Sequence, residues 1–322
     1  MRRRGFIFIL ALCISSLVFA QQVSWNVWVK QLRKEAVAKG ISARLFDQVF
    51  SNIKRPSRKQ IKLDRSQPEK RLTYIKYRNS RISNYRIQLG RKKFKKYRHL
   101  LTEIGHQYKV NPCTIAAIWG IESSYGHFMG SFPVIQSLST LAYDGRRSKF
   151  FRRELFYALH ILNEGHIKNK DFKGEWAGAS GQSQFLPSSW YKFAVDHNGD
   201  GRKDIWKDQA DVFASIANYL KGNGWKNGMP WSIRVRGANR VPKRMVSTKF
   251  KQPLSAWYKL GIEPASGQRV PRQNYEASLI RPHGGPDMLV FNDFKVLLRY
   301  NNSVYYAGAV AYLSDKICRR PS

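Results

Sequence analysis

The chain has 322 residues, of which 43% are hydrophobic and 13% aromatic, so it can form a packed core and is not wholly disordered. It carries 57 lysines and arginines against 21 acidic residues, a formal net charge of +36. A field of this sign attracts anionic polymers. The charge alone does not show whether the partner is nucleic acid or another polyanion. It also does not distinguish a binding surface from a basic surface that is only solvated.

The first twenty residues have the layout of a secretory signal peptide. Three arginines at positions 2–4 precede an apolar run at 5–18, which is too short to span a bilayer, and an acceptable cleavage sequence ends at Ala20. We expect an exported mature chain in the periplasm or at the envelope. Leu12 precedes Cys13 inside the apolar run, which disfavours a lipoprotein. Export makes anionic envelope polymers the expected partners rather than nucleic acid.

Residues 21–99 are predicted to form a basic α-helical region. Apolar residues recur at helical spacing between Val23 and Phe50. From Lys54 to Arg98, basic residues are interleaved with aromatic ones. This stretch fits amphipathic helices with basic outer faces, and it equally fits a surface that binds polyanions or stacks on sugars.

Residues 100–228 are predicted to form successive helices. One begins at Asn111, an N-cap followed by Pro112, and ends near Gly126. Residues 229–299 contain short strand-like segments separated by glycine and proline, and they predict a small β subdomain. Residues 300–322 predict a helix that packs back on the helical core.

One carboxylate in an apolar setting is the candidate for catalysis. The seven histidines are scattered, and no zinc-type pair, nucleophile elbow or phosphate-binding loop occurs. Glu122 follows a long apolar run near the predicted C-terminal end of its helix. Apolar surroundings and the negative end of a helix raise the pKa of a carboxyl group, as a general acid requires. The alternative is a surface glutamate at a helix end.

Five segments resemble the lytic transglycosylase B family, whose members have a lysozyme-like core. They are residues 120–126 (Gly-Ile-Glu-Ser-Ser-Tyr-Gly), 144–147 (Asp-Gly-Arg-Arg), 177–189, 217–219 (Ala-Asn-Tyr) and 299–303 (Arg-Tyr-Asn-Asn-Ser). Each is modestly specific, whereas their common order is highly specific. The resemblance implies a mainly α (α+β) fold, in which the lysozyme-like helical core joins an N-terminal α region and a small β subdomain.

The resemblance also implies roles for individual residues. Glu122 stands at the position of the family's catalytic acid/base. Arg146 and Arg147 stand where the family contacts the acidic peptide stem of murein, although an arginine pair is usually only surface charge. Glu175 replaces a small hydroxyl residue, which leaves that part of the groove open to question. The expected sugar-groove residues are Tyr77, Gln184, Phe185, Tyr219, Tyr300, Asn301 and Tyr306.

A loop that begins at Asp196 resembles the start of an EF-hand. Asp196, Asn198 and Asp200 occupy positions 1, 3 and 5, and Arg202 occupies position 7. Position 12 is a lysine instead of the usual glutamate, so Asp208 or Asp211 would have to complete the ligand shell. We expect a structural calcium ion or another hard cation here, and no cofactor for the chemistry. The alternative is an ordinary turn without a metal.

The expected activity is cleavage of the β-1,4 bond between N-acetylmuramic acid and N-acetylglucosamine, with 1,6-anhydromuramyl products. A hydrolytic muramidase is the first alternative, and it would need a second carboxylate or a held water beside Glu122. A non-catalytic basic binder of envelope polymers is the second. We expect a monomer that binds peptidoglycan strands and their peptide stems. Cys113 and Cys318 would meet an oxidising compartment, where they could pair.

Overall fold

The computed structural model describes residues 23–66 and 72–318, so the predicted signal peptide lies outside the described residues. The described residues form helices and strands with these bounds: α1 Trp25–Ala38, α2 Ala43–Phe50, α3 Arg58–Arg65, α4 Tyr74–Arg81, α5 Asn84–Lys96, α6 Arg98–Tyr108, α7 Pro112–Ser123, β1 Phe132–Pro133, α8 Val134–Asp144, α9 Ser148–Asn163, β2 Lys173–Gly174, α10 Pro187–Phe193, α11 Gln209–Gly222, β3 Ser232–Arg236, β4 Gln252–Pro253, α12 Leu254–Lys259, β5 Glu263–Pro264, β6 Glu276–Ile280, β7 Met288–Val290, α13 Asn292–Tyr300 and α14 Val304–Cys318. The mainly α fold predicted from the sequence is confirmed.

Helix α7 is the centre of the helical core. Asn111 caps its first turn by accepting a hydrogen bond from the N–H of Cys113 (2.8 Å), and Pro112 stands where no donor is needed. The helix is apolar on all sides from Cys113 to Gly120, and all of these residues are buried. Helices α5, α6, α11 and α14 pack around it. A disulfide between Cys113 and Cys318 joins the start of α7 to the end of α14.

Two groups of strands flank this core. β1 and β2 form a small antiparallel pair, whereas β4, β6, β7, β3 and β5 lie in that order in a five-stranded antiparallel sheet. The sheet has its own hydrophobic cluster, in which Trp257, Leu279 and Phe291 are fully buried. The five strands of this sheet lie within residues 229–299, where the sequence predicts a small β subdomain.

Helix α13 was not predicted, and the expected boundary at residue 299/300 falls at its last residue. Its buried residues Asp293, Phe294, Val296 and Leu297 follow helical spacing, and the helix packs against α14. A nine-residue amphipathic segment directly after a strand is too short to stand out in the sequence. The division of the chain into regions stays a prediction.

Within the two described stretches, no helix combines the length and the apolar character that crossing a membrane requires.

Candidate active site

Glu122 lies near the end of α7, where the chain turns sharply. The helix ends one residue later, and Ser124 and Tyr125 take left-handed backbone conformations with φ of 50° and 61°. Such values are uncommon for residues other than glycine and mark a strained turn. Tyr125 packs its ring over Gly120, where a Cβ atom would come within 2.5 Å of the ring. Glycine at position 120 therefore lets the turn close beside Glu122.

The surroundings of Glu122 raise the pKa of its carboxyl group from 4.5 to about 7. Burial is the largest cause, because it removes water from the charged form. The hydroxyl of Tyr306 donates to Glu122 Oε1 at 2.5 Å and lowers the pKa, as does the charge of Arg81. The charge of Glu175 raises it. Near neutral pH both protonation states are populated, so this group can donate a proton and then accept one.

An aromatic cluster, formed by Phe185, Tyr219, Tyr300 and Tyr306, adjoins Glu122. The rings of Tyr300 and Tyr306 are stacked with centroids 6.3 Å apart, and Tyr219 lies 4.6 Å from Tyr300. Phe185 lies 5.8 Å from Tyr300. Burial, and then the charge of Glu122, raise the pKa of both Tyr300 and Tyr306. The structure thus brings together four predicted site residues from three separate parts of the sequence, around positions 185, 219 and 300–306.

Tyr77 and Arg81 reach the same site from α4. The Tyr77 ring packs on Tyr305 with centroids 5.7 Å apart, and Tyr77 also contributes to the raised pKa of Tyr306. Arg81 lies 5.5 Å from the centroid of the Tyr77 ring and acts on Glu122. Sequence reasoning missed Arg81. Its spacing of four residues from Tyr77, which puts both on one helix face, was the available signal.

The turn at 181–185 is held by two glutamines. Gln184 has a φ of 50°, and its Nε2 donates to the carbonyls of Met129 (3.1 Å) and Gly181 (2.9 Å). Gln182, which sequence reasoning also missed, accepts from the indole N–H of Trp119 at 2.7 Å. The turn is therefore tied to α7 and to the segment that follows Glu122. The Tyr300 hydroxyl donates to the backbone carbonyl of Ser183 in this turn (2.6 Å).

Asn301 is less closely tied to the site. It is an exposed residue in the turn between α13 and α14, and its carbonyl accepts from the N–H of Ser303 at 2.7 Å. Within residues 72–318, no hydrogen bond joins its side chain to Glu122.

Comparisons with known proteins identify the family to which the chain belongs. A family model described as "Transglycosylase SLT domain" matches residues 24–315. Membrane-bound lytic murein transglycosylase B of Escherichia coli is 31% identical over 248 residues, 76% of this chain and 67% of the relative. The chain belongs to the lytic transglycosylase B family. It is an enzyme that acts on peptidoglycan, so the predicted family and enzyme class are confirmed.

The solved structures of related lytic transglycosylases have the same fold as this chain. SltB3 from Pseudomonas aeruginosa, in complex with NAG-NAM-pentapeptide, is 38% identical with a TM-score of 0.86, over 91% of this chain and 79% of that one. The Escherichia coli lytic transglycosylase Slt35, in complex with calcium, is 29% identical with a TM-score of 0.79, over 90% and 92% of the two chains. The lysozyme-like core predicted from the sequence is confirmed.

Arg146 and Arg147 of this lytic transglycosylase both bind Asp64 on α3. Arg146 Nε donates to Asp64 Oδ2 at 2.7 Å, and Arg147 forms a short ion pair with Oδ1. Asp64 is buried, whereas the arginine side chains stay 50% and 43% exposed. The pair thus has a structural partner and retains exposed guanidinium edges. A role in substrate binding stays a prediction.

The carboxylates of the EF-hand-like loop are engaged by the loop's own backbone. Asp196 accepts hydrogen bonds from the N–H groups of residues 199, 200 and 201 at 2.8, 3.2 and 2.8 Å. Asn198 Oδ1 accepts from the N–H of Asp200 (3.0 Å), and Asp200 Oδ1 accepts from that of Arg202 (2.8 Å). The predicted ligands at positions 1, 3 and 5 therefore stabilise a turn.

Asp211 lies behind this loop on α11. It is fully buried and accepts from the N–H groups of His197 and Asp204, each at 2.7 Å. Burial raises its pKa, and the charges of Asp196 and Asp208 raise it further. The described residues contain no group of three or more histidine, cysteine or acidic side chains placed to hold a metal. The carboxylate and amide oxygens of the loop are of the kind that a hard cation prefers.

Proposed function

We propose that this enzyme cleaves the β-1,4 bond between N-acetylmuramic acid and N-acetylglucosamine with Glu122 as both acid and base, and releases 1,6-anhydromuramyl ends. The observation that carries the proposal is the setting of Glu122. It is a partly buried carboxyl with a pKa of about 7, hydrogen-bonded by Tyr306 and adjoined by the aromatic cluster.

In this mechanism, protonated Glu122 donates its proton to the oxygen of the leaving N-acetylglucosamine as the bond to C1 of the muramyl sugar breaks. The muramyl N-acetyl carbonyl supports the positive charge that develops at C1. Ionised Glu122 then takes the proton of the C6 hydroxyl while O6 bonds to C1, and the enzyme returns to its starting state. The hydrogen bond from Tyr306 stabilises Glu122 in its ionised form.

The aromatic cluster, Tyr77 and Gln184 would hold the sugars, because they approach Glu122 from four helices and one turn. Asn301 would act at the rim. The exposed edges of Arg146 and Arg147 would meet carboxylates of the peptide stem. The complex of SltB3 with NAG-NAM-pentapeptide supports a substrate that includes both glycan and peptide.

Glu122→Gln tests the catalytic role. The amide keeps the shape of the side chain but has no acidic proton, so we expect turnover to fall at least about a thousandfold, whereas the fold and glycan binding persist. Muropeptide release from purified murein, followed by mass spectrometry, measures the loss. Release at near the wild-type rate would contradict a single-carboxylate mechanism.

The loop at 196–211 is proposed to bind calcium for stability and not for chemistry. Its carboxylate and amide oxygens are of the kind calcium prefers. A cation would also offset the repulsion among Asp196, Asp208 and Asp211. The calcium complex of the related Slt35 supports this assignment.

The location of the enzyme is proposed from the signal-peptide pattern at 1–20, with processing near Ala20. The Escherichia coli relative is described as membrane-bound, which agrees with an envelope enzyme. The positive charge would hold a monomeric enzyme near anionic envelope polymers without selecting the bond that is cut.

A further inference from the structure

A cavity of about 860 Å³, which we call the junction cavity, lies between the five-stranded sheet and the helices α4 and α14. Its walls include Tyr74 and Arg78 of α4, Trp231 and Arg234 at β3, and Tyr312 and Lys316 of α14. Among the described residues, those that approach Glu122 do not line it. On α4, Tyr77 belongs to the active site, whereas its neighbour Arg78 lines the junction cavity. The two sites are therefore distinct.

Contacts between the sheet and both helices fix the walls of the junction cavity. The N–H of Tyr74 donates to the carbonyl of His283 in the turn between β6 and β7 (2.8 Å). The Tyr74 ring packs closely on Gly285 in the same turn, where a Cβ atom would come within 2.7 Å of the ring. On the other side, the indole N–H of Trp231 donates to Asp315 Oδ2 on α14 at 3.3 Å. The walls are therefore preformed, and a ligand need not order them.

The junction cavity is strongly basic. Four cationic side chains line it: Arg78, Arg234, Arg269 and Lys316. In the described stretches none of these four forms an ion pair, whereas Arg236, two residues further along β3, pairs with Glu263 (3.8 Å). Asp315 is the one acid among the described residues that line the cavity. Charges of one sign repel one another, and a bound anion relieves that repulsion. The junction cavity thus has the charge of an anion-binding site.

Aromatic rings lie beside these charges. The guanidinium carbon of Arg78 lies 4.5 Å from the centroid of the Tyr312 ring, and Lys316 Nζ lies 5.4 Å from it. Such cation–π contacts hold the charges at the wall. Trp231 is stacked on Phe294, with ring centroids 6.3 Å apart, and stays partly exposed. The walls therefore suit a ligand that carries acidic groups on a short, partly apolar chain.

The peptide stems of peptidoglycan have this chemistry. A stem is a short peptide with alanine methyl groups, several carboxylates and, on its diamino acid, an amino group. Arginine side chains bind carboxylates through two parallel hydrogen bonds, and Asp315 supplies the charge that attracts the amino group. A volume of about 860 Å³ holds a few residues of such a chain. A polyphosphate, by contrast, has no cationic group to pair with Asp315.

We propose that the junction cavity binds a peptide stem of peptidoglycan, other than the stem at the cleaved bond, and thereby holds the enzyme on its substrate. The inference goes beyond the proposed function, because it depends neither on Glu122 nor on the bond that is cut. It needs only a polymer with repeated stems, and peptidoglycan is what this family acts on. Since the two sites share no lining residue, loss of stem binding in the junction cavity should raise KM for stem-bearing strands and leave kcat unchanged.

The binding test titrates the enzyme with the free tetrapeptide stem, L-Ala-γ-D-Glu-diamino acid-D-Ala. Binding heat gives Kd, and the NMR signal of the Trp231 indole N–H, assigned with Trp231→Phe, reports on the junction cavity. We expect this signal to move in wild type. The double variant Arg234→Gln, Arg269→Gln should raise Kd about tenfold or more, because it loses charge-assisted hydrogen bonds. The double variant Arg236→Gln, Arg240→Gln is the charge-matched control, since both arginines are exposed and neither lines the cavity.

Two further measurements test the chemistry of the ligand and the effect on cleavage. Tetrapeptide with amidated carboxyl groups should bind wild type about tenfold more weakly, and this comparison needs no substitution. On glycan strands stripped of their stems, the double variant Arg234→Gln, Arg269→Gln should match wild type in kcat/KM. On stem-bearing strands its KM should rise about threefold or more, because a second point of attachment is lost.

Several results would overturn the inference. An unmoved Trp231 signal during the titration, or an equal loss of affinity in the charge-matched control, would show that the junction cavity does not select the stem. A short glycerol-phosphate oligomer that moves the signal when the tetrapeptide does not would identify the ligand as a phosphate polymer. Equal binding of amidated and free tetrapeptide would exclude carboxylate recognition. The proposed function fails separately, if wild type releases no anhydro ends, and that result leaves the binding data unchanged.

Discussion

The C-terminal end of α7 and the loop at 196–201 both carry acidic residues, but the two regions differ in how many hydrogen bonds they donate to the carboxyl group. From the described residues Glu122 receives one hydrogen bond, from the Tyr306 hydroxyl, and burial raises its pKa to about 7. Asp196 receives three hydrogen bonds from backbone N–H groups. The end of a helix presents carbonyl groups and few donors, whereas a tight loop turns its N–H groups inward.

The difference supports the proposed division of roles, in which Glu122 serves the chemistry and Asp196 serves the fold. A carboxyl with few donors holds its proton near neutral pH and can give it away. A carboxylate surrounded by N–H groups is part of the loop's structure, so its loss should unfold the loop before it affects catalysis.

The largest expected effect concerns stability and pH at Glu122. Its folded pKa of about 7 lies above its ordinary value of 4.5. The folded state therefore binds the proton more tightly, and this stability is complete below about pH 4.5 and is lost as pH rises through 7. Glu122→Gln escapes the loss, so it should exceed wild type by about 3 kcal/mol above pH 7 and match it at pH 4.

Urea unfolding at pH 4, 6 and 8 measures this difference, with the exposed Glu263→Gln variant as the control. An advantage of the same size at all three pH values would mean that the ionisation of Glu122 is not its source.

Tyr306→Phe removes the only hydrogen bond that the described residues donate to Glu122. That bond lowers the pKa of Glu122, so without it the alkaline limb of kcat/KM should move to higher pH. Ionised Glu122 also loses a donor worth about 1.5–3 kcal/mol, so kcat should fall about 10- to 100-fold. A pH profile on a soluble glycan fragment measures both effects.

Tyr312→Phe, on the same helix α14, is the matched control because its ring packs with Arg78 and not with Glu122. A fall in kcat with an unmoved alkaline limb would show that Tyr306 acts on the substrate instead of on the acid.

Much of this site could be predicted from the sequence because its signals are local. The Asn111 cap and Pro112 fixed the start of α7, and a long apolar run placed Glu122 near its end. The sequence could not indicate that Ser124 and Tyr125 take left-handed conformations. That turn depends on Tyr125 packing over Gly120 and Gly90, and Gly90 lies on another helix.

The contacts that tune Glu122 were harder to predict because they are tertiary. Arg81 comes from α4, Glu175 from the turn after β2 and Tyr306 from α14. The family resemblance predicted Tyr306 as a site residue, because Tyr306 follows one of the matching segments. Glu175 departs from the family pattern, so the resemblance could not predict that it acts on Glu122. The ion pairs of Asp64 with Arg146 and Arg147 were missed for the same reason, because both arginines are more than eighty residues away.

The smallest expected effect lies in the loop. Asp200→Ala removes the acceptor for the N–H of Arg202 (2.8 Å) and should cost about 1 kcal/mol, or about 2–4 °C in Tm, with little change in activity of the folded enzyme. Calcium that binds only the native loop would add further stability to wild type by mass action, and this gain should vanish in the variant. Thermal scans with chelator and with calcium measure both parts, and Asp171→Ala, an exposed acid outside the loop, is the control. If calcium neither raises the Tm of wild type nor gives binding heat, the loop is a turn that its own backbone hydrogen bonds stabilise without a metal.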